Sequence, residues 1–381
     1  MRYRYSAGEN GKLLKKAVIY TCDEHGINYT DVDSDAVSII RRLKSAGHDS
    51  YIVGGAVRDL ILRKKPKDFD IVSTAAPLKI KKIFKGSRII GRRFRIVHVY
   101  IGQKIFEVAT FRSLKDGNTG NIFGTIDEDV LRRDFTMNAL FYDPQQQIVV
   151  DYINGMKDIK RKQVRPVIAV NKIFTEDPVR MIRAVKYAAA AGFQIPVNLK
   201  FKIYRQSGLL KTVSASRLTE EIQKIIHSSQ AAVIVDLLEK TGLYSYLQPQ
   251  ASGLMKKDIN FRKRYLKTIA SLNGSEIFPG QALGCLFYDY LENLHEWKPG
   301  VIENYKEIFM TVRSFVLPMN PPRFELGQAL RKFLSVRGIT IKKQHIERPK
   351  PIEGAEGSVK KRKRRKNKNI KETANTANKN E

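Results

Sequence analysis

The sequence predicts an α+β chain in several units: a small mixed sheet with helices, then an all-helical neck and body, then a disordered basic tail. Three observations predict it. Short β-type runs, parted by Gly, Pro and charged turns, occupy the stretch from Tyr51 to Val108. After Asp177 the apolar residues recur at helical spacing. Beyond about Arg348 apolar residues are lost, and the run from Lys360 to Lys368 is almost wholly basic. A chain of 381 residues and 43.5 kDa also exceeds what one hydrophobic core organises.

Taken in order, residues 1–34 are polar and weakly patterned, with Gly8, Gly11 and Gly26, and read as an N-terminal arm. From Asp35, the spacing of Ala36, Val37, Ile39, Ile40 and Leu43 predicts a helix that Gly47 closes. Tyr51–Val53, Phe69–Val72, Ile89–Ile90, Arg95–Tyr100 and Lys104–Val108 follow as strands of a sheet with helices on one side, within a head spanning 35–165. A neck spans 166–230. In it Asp177 and Pro178 supply a cap and first turn for a helix that Gly192 ends, and a second helical run begins at Ser216. The body, 231–345, continues in helices, and 346–381 is the tail.

Charge narrows the function. Sixty-nine basic against 38 acidic residues give a net +31. From Ile341 to the end there are 14 Lys/Arg and 5 Asp/Glu, a net +9, which leaves +22 on the rest. A basic body with a basic tail reads as a polyanion binder, because cations that neutralise phosphates release condensed counterions. Lys361, Arg362, Lys363, Arg364, Arg365 and Lys366 are the tail's candidate RNA contacts, and acidic proteins are its other candidate partners. Cys22 and Cys285 lie far apart, outside any Cys-x-x-Cys spacing, so neither a disulfide framework nor a structural zinc site is expected. His98, in an apolar run, reads as a hydrogen-bonded strand residue rather than a metal ligand. No run approaches the length of a membrane-spanning helix and the N-terminus lacks a signal-peptide apolar region, so the expectation is a soluble, cytoplasmic chain.

The chemistry concentrates between Tyr51 and Val72. A strand runs into Gly54-Gly55 and then a helix, leaving unhindered backbone N–H groups at a corner that suits a triphosphate. Asp68 and Asp70, one residue apart on a predicted strand, would point their carboxylates to the same face. Two carboxylates held together in so basic a chain suit Mg²⁺, which takes hard oxygen ligands and completes its shell with water and phosphate oxygens.

The run Gly54-Gly55-Ala56-Val57-Arg58-Asp59, followed by Asp68-Phe69-Asp70, resembles the class II tRNA nucleotidyltransferase and poly(A) polymerase family, within the polymerase-β-like nucleotidyltransferases. Agreement continues through Arg132-Arg133-Asp134-Phe135-Thr136-Met137-Asn138-Ala139, the run from Asp151 to Asp158, and Glu176-Asp177-Pro178-Val179-Arg180. It covers about Asp35 to Ile226. The resemblance implies a polymerase-β-like head, and Asp68, Asp70 and Asp134 as catalytic carboxylates, with the first two holding the metal, a pair of Mg²⁺ ions. It also implies phosphate and nucleotide contacts from Gly54, Gly55, Arg58, Arg132, Arg133 and Asn138, and base selection by Asp177 and Arg180, three apart at a helix start. Glu107 could reach the same metals or form a cross-strand salt bridge.

The block Gly91-Arg92-Arg93-Phe94-Arg95, with Asn121-Ile122-Phe123-Gly124, is similar to bacterial poly(A) polymerases. The implied reaction is template-independent addition of AMP from ATP to RNA 3′ ends with release of pyrophosphate. CCA addition to tRNA is the alternative. A catalytically silent RNA-binding protein on the same scaffold would predict a broken metal set, yet all three aspartates are present. Ile168-Ala169-Val170 and Ile173-Phe174-Thr175 replace a turn and arginines usual in the family, a departure that bears on nucleotide selectivity rather than on catalysis.

Overall fold

The central strands are apolar on both sides, and that decides the architecture: Ile52 and Ile71 point into one buried layer, whereas Tyr51, Val53 and Val72 point into another. A computed structural model describes residues 2–7, 13–91, 95–113, 123–272, 279–294 and 296–341. The polybasic run Lys361–Lys366 lies outside the described residues, as do Arg92, Arg93, Phe94, Asn121 and Ile122 of the two runs similar to bacterial poly(A) polymerases.

The head strands are β1 (Arg2–Ala7), β2 (Leu13–Tyr20), β3 (Ser50–Val53), β4 (Asp70–Ser73), β5 (Ser87–Ile90), β6 (Ile96–Ile101), β7 (Lys104–Thr110), β8 (Leu140–Asp143) and β9 (Ile148–Asp151). They form one sheet in the order β1-β2-β9-β8-β3-β4-β7-β6-β5. All neighbours are antiparallel except β4 and β7, where Ile71 lies beside Val108.

The larger layer packs on the helix Ser34–Ser45, which buries Ala36, Ile39, Ile40 and Leu43 and is capped by the Asp33 carboxylate accepting from the Asp35 N–H. The sheet's other face is also covered, contrary to the expectation of helices on one side. Helix Ile126–Arg132, opened by a Thr125/Glu128 capping box, sets Val130 against Phe111 and Phe141. A second difference concerns residues 1–34, expected to be an arm. Residues 13–20 pair with β9 through Val18 and Asp151 and bury Ala17, Val18 and Tyr20 in the sheet. Lys15 and Lys16, inside that run, dilute its apolar signal.

Beyond the head, helices Ile173–Glu176, Val179–Ala191, Val197–Gln206 and Ala215–Ile226 form the neck. Gly192 ends the second of these in a left-handed cap at φ 72°. The body adds, among others, helices Ala231–Lys240, Ile259–Ala270, Tyr305–Phe315 and Arg323–Ser335. It is not all-helical: Gly300–Ile302 (β10) pairs in parallel with Ile339–Ile341 (β11). Three residues per strand are too few to leave a period in the sequence. Backbone bonds tie neck to head, with the Val164 N–H donating to Gln194 O at 3.0 Å and the Gln194 N–H to Lys162 O at 2.7 Å. No helix among the described residues is long and apolar enough to cross a membrane.

Candidate active site

The corner after β3 needs glycine for its backbone: Gly54 has φ 72° and ψ −135°, a conformation a side chain would strain. It turns the chain into helix Gly55–Ile61, whose Arg58 is buried and donates to Asn138 Oδ1 at 2.9 Å and, through Nε, to Asp59 at 2.9 Å. Asn138 passes the contact on, its Nδ2 donating to Asp134 Oδ1 at 3.4 Å, while the Phe135 N–H donates to the same oxygen at 2.7 Å. Arg183, on helix Val179–Ala191, stands 4.0 Å from the other oxygen of Asp134. Arg133 is braced between Asp129 Oδ2, at 2.9 Å, and the Asn138 carbonyl, at 3.1 Å. Arg132 donates to the Ser113 carbonyl, and its own carbonyl accepts from Arg180 Nη2 at 3.3 Å.

These side chains wall a cleft of about 390 Å³, within the range of small-ligand sites. Gly54, Gly55, Arg58, Asp70, Arg132, Arg133, Asp134, Asn138, Asp177 and Arg180 all border it. Of the residues singled out in the sequence, Asp68 does not. It precedes β4 rather than lying on it and is exposed, so the two-on-one-strand geometry is corrected: only Asp70 is in the strand. Asp68 borders a second hollow, of about 900 Å³, between the head, the helices Val179–Ala191 and Ala215–Ile226, and Leu283 and Glu325 of the body. A third, of about 330 Å³, lies over the sheet against Glu107, Asp129, Arg132 and Arg133. Asp70 borders all three.

Asp70 is open to water on the cleft side and crowded by protein elsewhere. That crowding, then the charges of Glu107 and Asp68, push its carboxyl up to about 6. Glu107 sits one strand over, beside Asp70 in the register extrapolated from Ile71 and Val108, and also faces His98 Nε2 across β6 at 3.5 Å. The cross-strand reading of Glu107 therefore finds its partner in His98, a strand residue with a polar neighbour.

Among the described residues, no three His, Cys, Asp or Glu side chains are grouped to hold a metal on their own. Asp134, expected among the catalytic carboxylates but not among those holding the metal, borders the same cleft as Asp70, with its oxygens engaged by Asn138, the Phe135 N–H and, at 4.0 Å, Arg183. The donors that remain still fit Mg²⁺. Asp70, with Asp68 and Glu107 acting on it, is a hard-oxygen group whose negative charge is under-compensated, and Mg²⁺ uses few carboxylates when substrate phosphates complete its shell.

Asp177 carries out the cap that its position suggested, accepting from the Val179 N–H at 3.2 Å. Its ion partner, however, is Arg217 rather than Arg180, with Arg217 Nη2 at 2.9 and 2.8 Å from its two oxygens. Arg180 instead faces Glu176 at 3.5 Å. Sequence reasoning missed Arg217, and it missed a buried junction. Glu221 accepts from Arg183 Nε at 2.9 Å and from Lys186 Nζ at 2.6 Å. Burial opposes its ionisation, yet the two cations win and hold the Glu221 carboxyl below its usual range. Arg183 and Tyr187 follow Arg180 by three and seven residues, a helical stripe that could have marked them. Nothing local to Arg217 or Glu221 signals their partners.

A glycine corner, an aspartate opening the next antiparallel strand and an arginine-walled cleft are the features that the resemblance to polymerase-β-like nucleotidyltransferases implies. Residues 50–165 match the family described as "Poly A polymerase head domain", and 192–254 that described as "Probable RNA and SrmB- binding site of polymerase A". The chain is 38% identical over 260 residues to poly(A) polymerase I of Escherichia coli O6:H1 (strain CFT073), covering 64% of this chain and 56% of that one. It is 36% identical over 231 residues to the CCA-adding enzyme of Geobacillus stearothermophilus, covering 58% and 56%. The crystal structure of the Bacillus stearothermophilus CCA-adding enzyme in complex with CTP superposes with a TM-score of 0.55 at 27% identity, over 79% of this chain and 82% of that one. The chain belongs to the class II nucleotidyltransferase family, that of bacterial poly(A) polymerases and CCA-adding enzymes. It matches little more than half the length of these curated relatives.

Proposed function

We propose that this protein is a cytoplasmic polynucleotide adenylyltransferase that adds AMP from ATP to RNA 3′ ends, with release of pyrophosphate. One observation carries the proposal: Asp70 borders both the arginine-walled cleft, sized for a nucleotide, and the larger hollow toward the neck and body, where an RNA end has room. The two substrates would meet at that carboxylate.

In this reading Gly54, Gly55, Arg58, Arg132 and Arg133 hold the triphosphate, with Asp134 and Asn138 at the sugar. Asp177 and Arg180 present an acceptor and a donor to the adenine edge. Mg²⁺ held by Asp68 and Asp70, as a pair of ions, would neutralise phosphate charge and favour the ionised 3′-hydroxyl. The protein's part is placement and fixed positive charge, which is what phosphoryl transfer requires, so the lack of a Ser, Cys or His nucleophile among the described residues bordering the cleft is no obstacle. In-line attack of the RNA 3′-oxygen on the α-phosphorus forms the new phosphodiester and breaks the bond to pyrophosphate.

Adenylation rather than CCA addition is favoured by the longer and slightly closer match to poly(A) polymerase I, 38% over 260 residues against 36% over 231. A single incubation separates them: generic RNA, or tRNA lacking its terminal nucleotides, with ATP alone or ATP plus CTP. Long adenylate tracts on generic RNA are expected, and a three-nucleotide stop confined to tRNA would overturn the choice. Asp68→Ala with Asp70→Ala is expected to abolish addition to either acceptor. Unchanged tailing would remove the assignment of the site.

A further inference from the structure

Helix Val197–Gln206 shows the wrong face to water for a purely structural helix. It buries Leu199 and Ile203, as an amphipathic helix should, yet leaves Val197 82%, Phe201 59% and Tyr204 76% exposed. Residues four and seven positions after Val197 share one stripe. Lys200 and Arg205, both exposed, lie to either side of it, and the Arg205 guanidinium sits 5.7 Å from the Phe201 ring centroid. The helix, VNLKFKIYRQ, contains no acidic residue. An exposed aromatic patch of this kind needs a reason outside folding.

We propose that this face is a stacking platform for single-stranded RNA, engaging the acceptor upstream of its 3′ end. The proposal rests on the RNA reading above and adds the side chains and the mode of contact. Protein-binding patches are depleted of charge at their centre, whereas here cations bracket the rings in a chain of net +31. Rings between cations suit a strand whose bases all carry a π-face and whose backbone is anionic. Position agrees with an upstream contact. The helix Val179–Ala191 carries Arg180 and Arg183 to the cleft at one end, and its other end leads through Gly192–Pro196 into the platform. Eleven residues from Arg180 to Ala191 at the helical rise make roughly 16 Å, so the platform serves nucleotides some way back from the reacting end.

The test uses the full chain and two double variants, Phe201→Ala with Tyr204→Ala, and Phe201→Leu with Tyr204→Leu; the second keeps apolar bulk and removes the rings. Binding of labelled long oligoadenylate is measured against that of a trinucleotide and of duplex RNA. Both variants are expected to lose about 10-fold or more in affinity for the long single strand, from roughly 1–3 kcal/mol per stacked base. Trinucleotide, duplex and ATP affinities stay as they were. Because no cation is removed, the slope of log K against log salt is unchanged, whereas Lys200→Gln with Arg205→Gln lowers it by about 0.7 for each phosphate these cations neutralise. Undiminished long-strand affinity in the leucine variant would overturn the platform. So would an equal loss on duplex RNA, or a change in oligomeric state or in capture of a protein partner without a change in RNA affinity. A chain that binds RNA through these rings but adds no AMP would instead sink the enzymatic reading alone.

Discussion

Asp70 holds an uncomfortable position in the metal-free protein, and its discomfort is measurable. Burial, with Glu107 and Asp68 nearby, pushes its carboxyl up to about 6 from the ordinary 3.8. A carboxyl raised in this way is protonated in both states below pH 4, takes up a proton on folding between pH 4 and 6, and above pH 6 carries a charge the fold disfavours. Asp70→Asn should therefore stabilise the metal-free protein at pH 7–8 by about 1 kcal/mol, a figure reduced for screening by the water that reaches Asp70, and so raise its melting temperature. The gain should vanish below pH 4. Adding Mg²⁺ at pH 8 should stabilise the natural chain more than this variant, and equal shifts in differential scanning calorimetry would count against Asp70 as a ligand. Arg217 offers a different reading of a single side chain. It fixes Asp177 with one nitrogen across both oxygens, while the Val179 N–H holds the carboxylate from the other side. Arg217→Ala frees the carboxylate to turn, and the preference for ATP over CTP should fall by about 5- to 10-fold, or about 1 kcal/mol for an ion pair whose arginine is half exposed. Competition assays with both nucleotides read this directly.

Two junctions between secondary-structure elements carry the site. The β3-to-helix corner depends on Gly54 at φ 72°, so Gly54→Ala should cost about 1–3 kcal/mol in backbone strain and weaken nucleotide binding further, since the added methyl would enter the cleft at van der Waals distance from Arg133 and Asp70, 3.8 and 4.0 Å away. The second junction is Glu221, which binds Arg183 and Lys186 of the neighbouring helix. Glu221→Ala leaves two cations without their buried partner and should cost about 3 kcal/mol. With its carboxyl held low in the fold, the stability Glu221 contributes is present above the ordinary carboxyl range and is lost as pH falls below that range through the lower folded value. The natural chain and the variant should therefore converge only below the ordinary carboxyl range, as denaturation followed from pH 7 down to about pH 2 would reveal. These junctions also mark what the chain makes legible. Gly54, Asp70, Arg133, Asp134 and Asp177 belong to short local motifs, and the cleft gathers them. Asp68 falls just outside the strand because a two-residue alternation does not say where a strand begins. Arg217 and Glu221 meet Asp177 and Arg183 only because helix Ala215–Ile226 packs against Val179–Ala191, a contact no local spacing encodes. Likewise β2 is masked by Lys15 and Lys16 until β9 supplies its partner.

Across the chain, charge and fold divide the work. The described residues build a cleft in which arginines are spent on specific partners: Arg58 on Asn138, Arg133 on Asp129, Arg183 on Glu221. Such pairing aims those charges at one small anion. The surplus that meets a long one is divided: residues 1–341 keep a net +22, and residues 342–381 carry 14 basic against 5 acidic side chains, a net +9 of the total +31. If the tail serves as a nonspecific RNA contact, each phosphate it neutralises steepens the salt dependence by about 0.7 for a single strand. Truncation after Ile341 should then flatten the slope of log K against log salt by about 4 when six cations engage, and weaken long RNA far more than ATP. Addition of the first AMP to a short acceptor at low salt should survive, because every group assigned to the chemistry precedes the cut. A truncated chain with the natural slope on RNA, but without affinity for an acidic protein, would instead assign the tail to protein docking and leave RNA capture to the folded part.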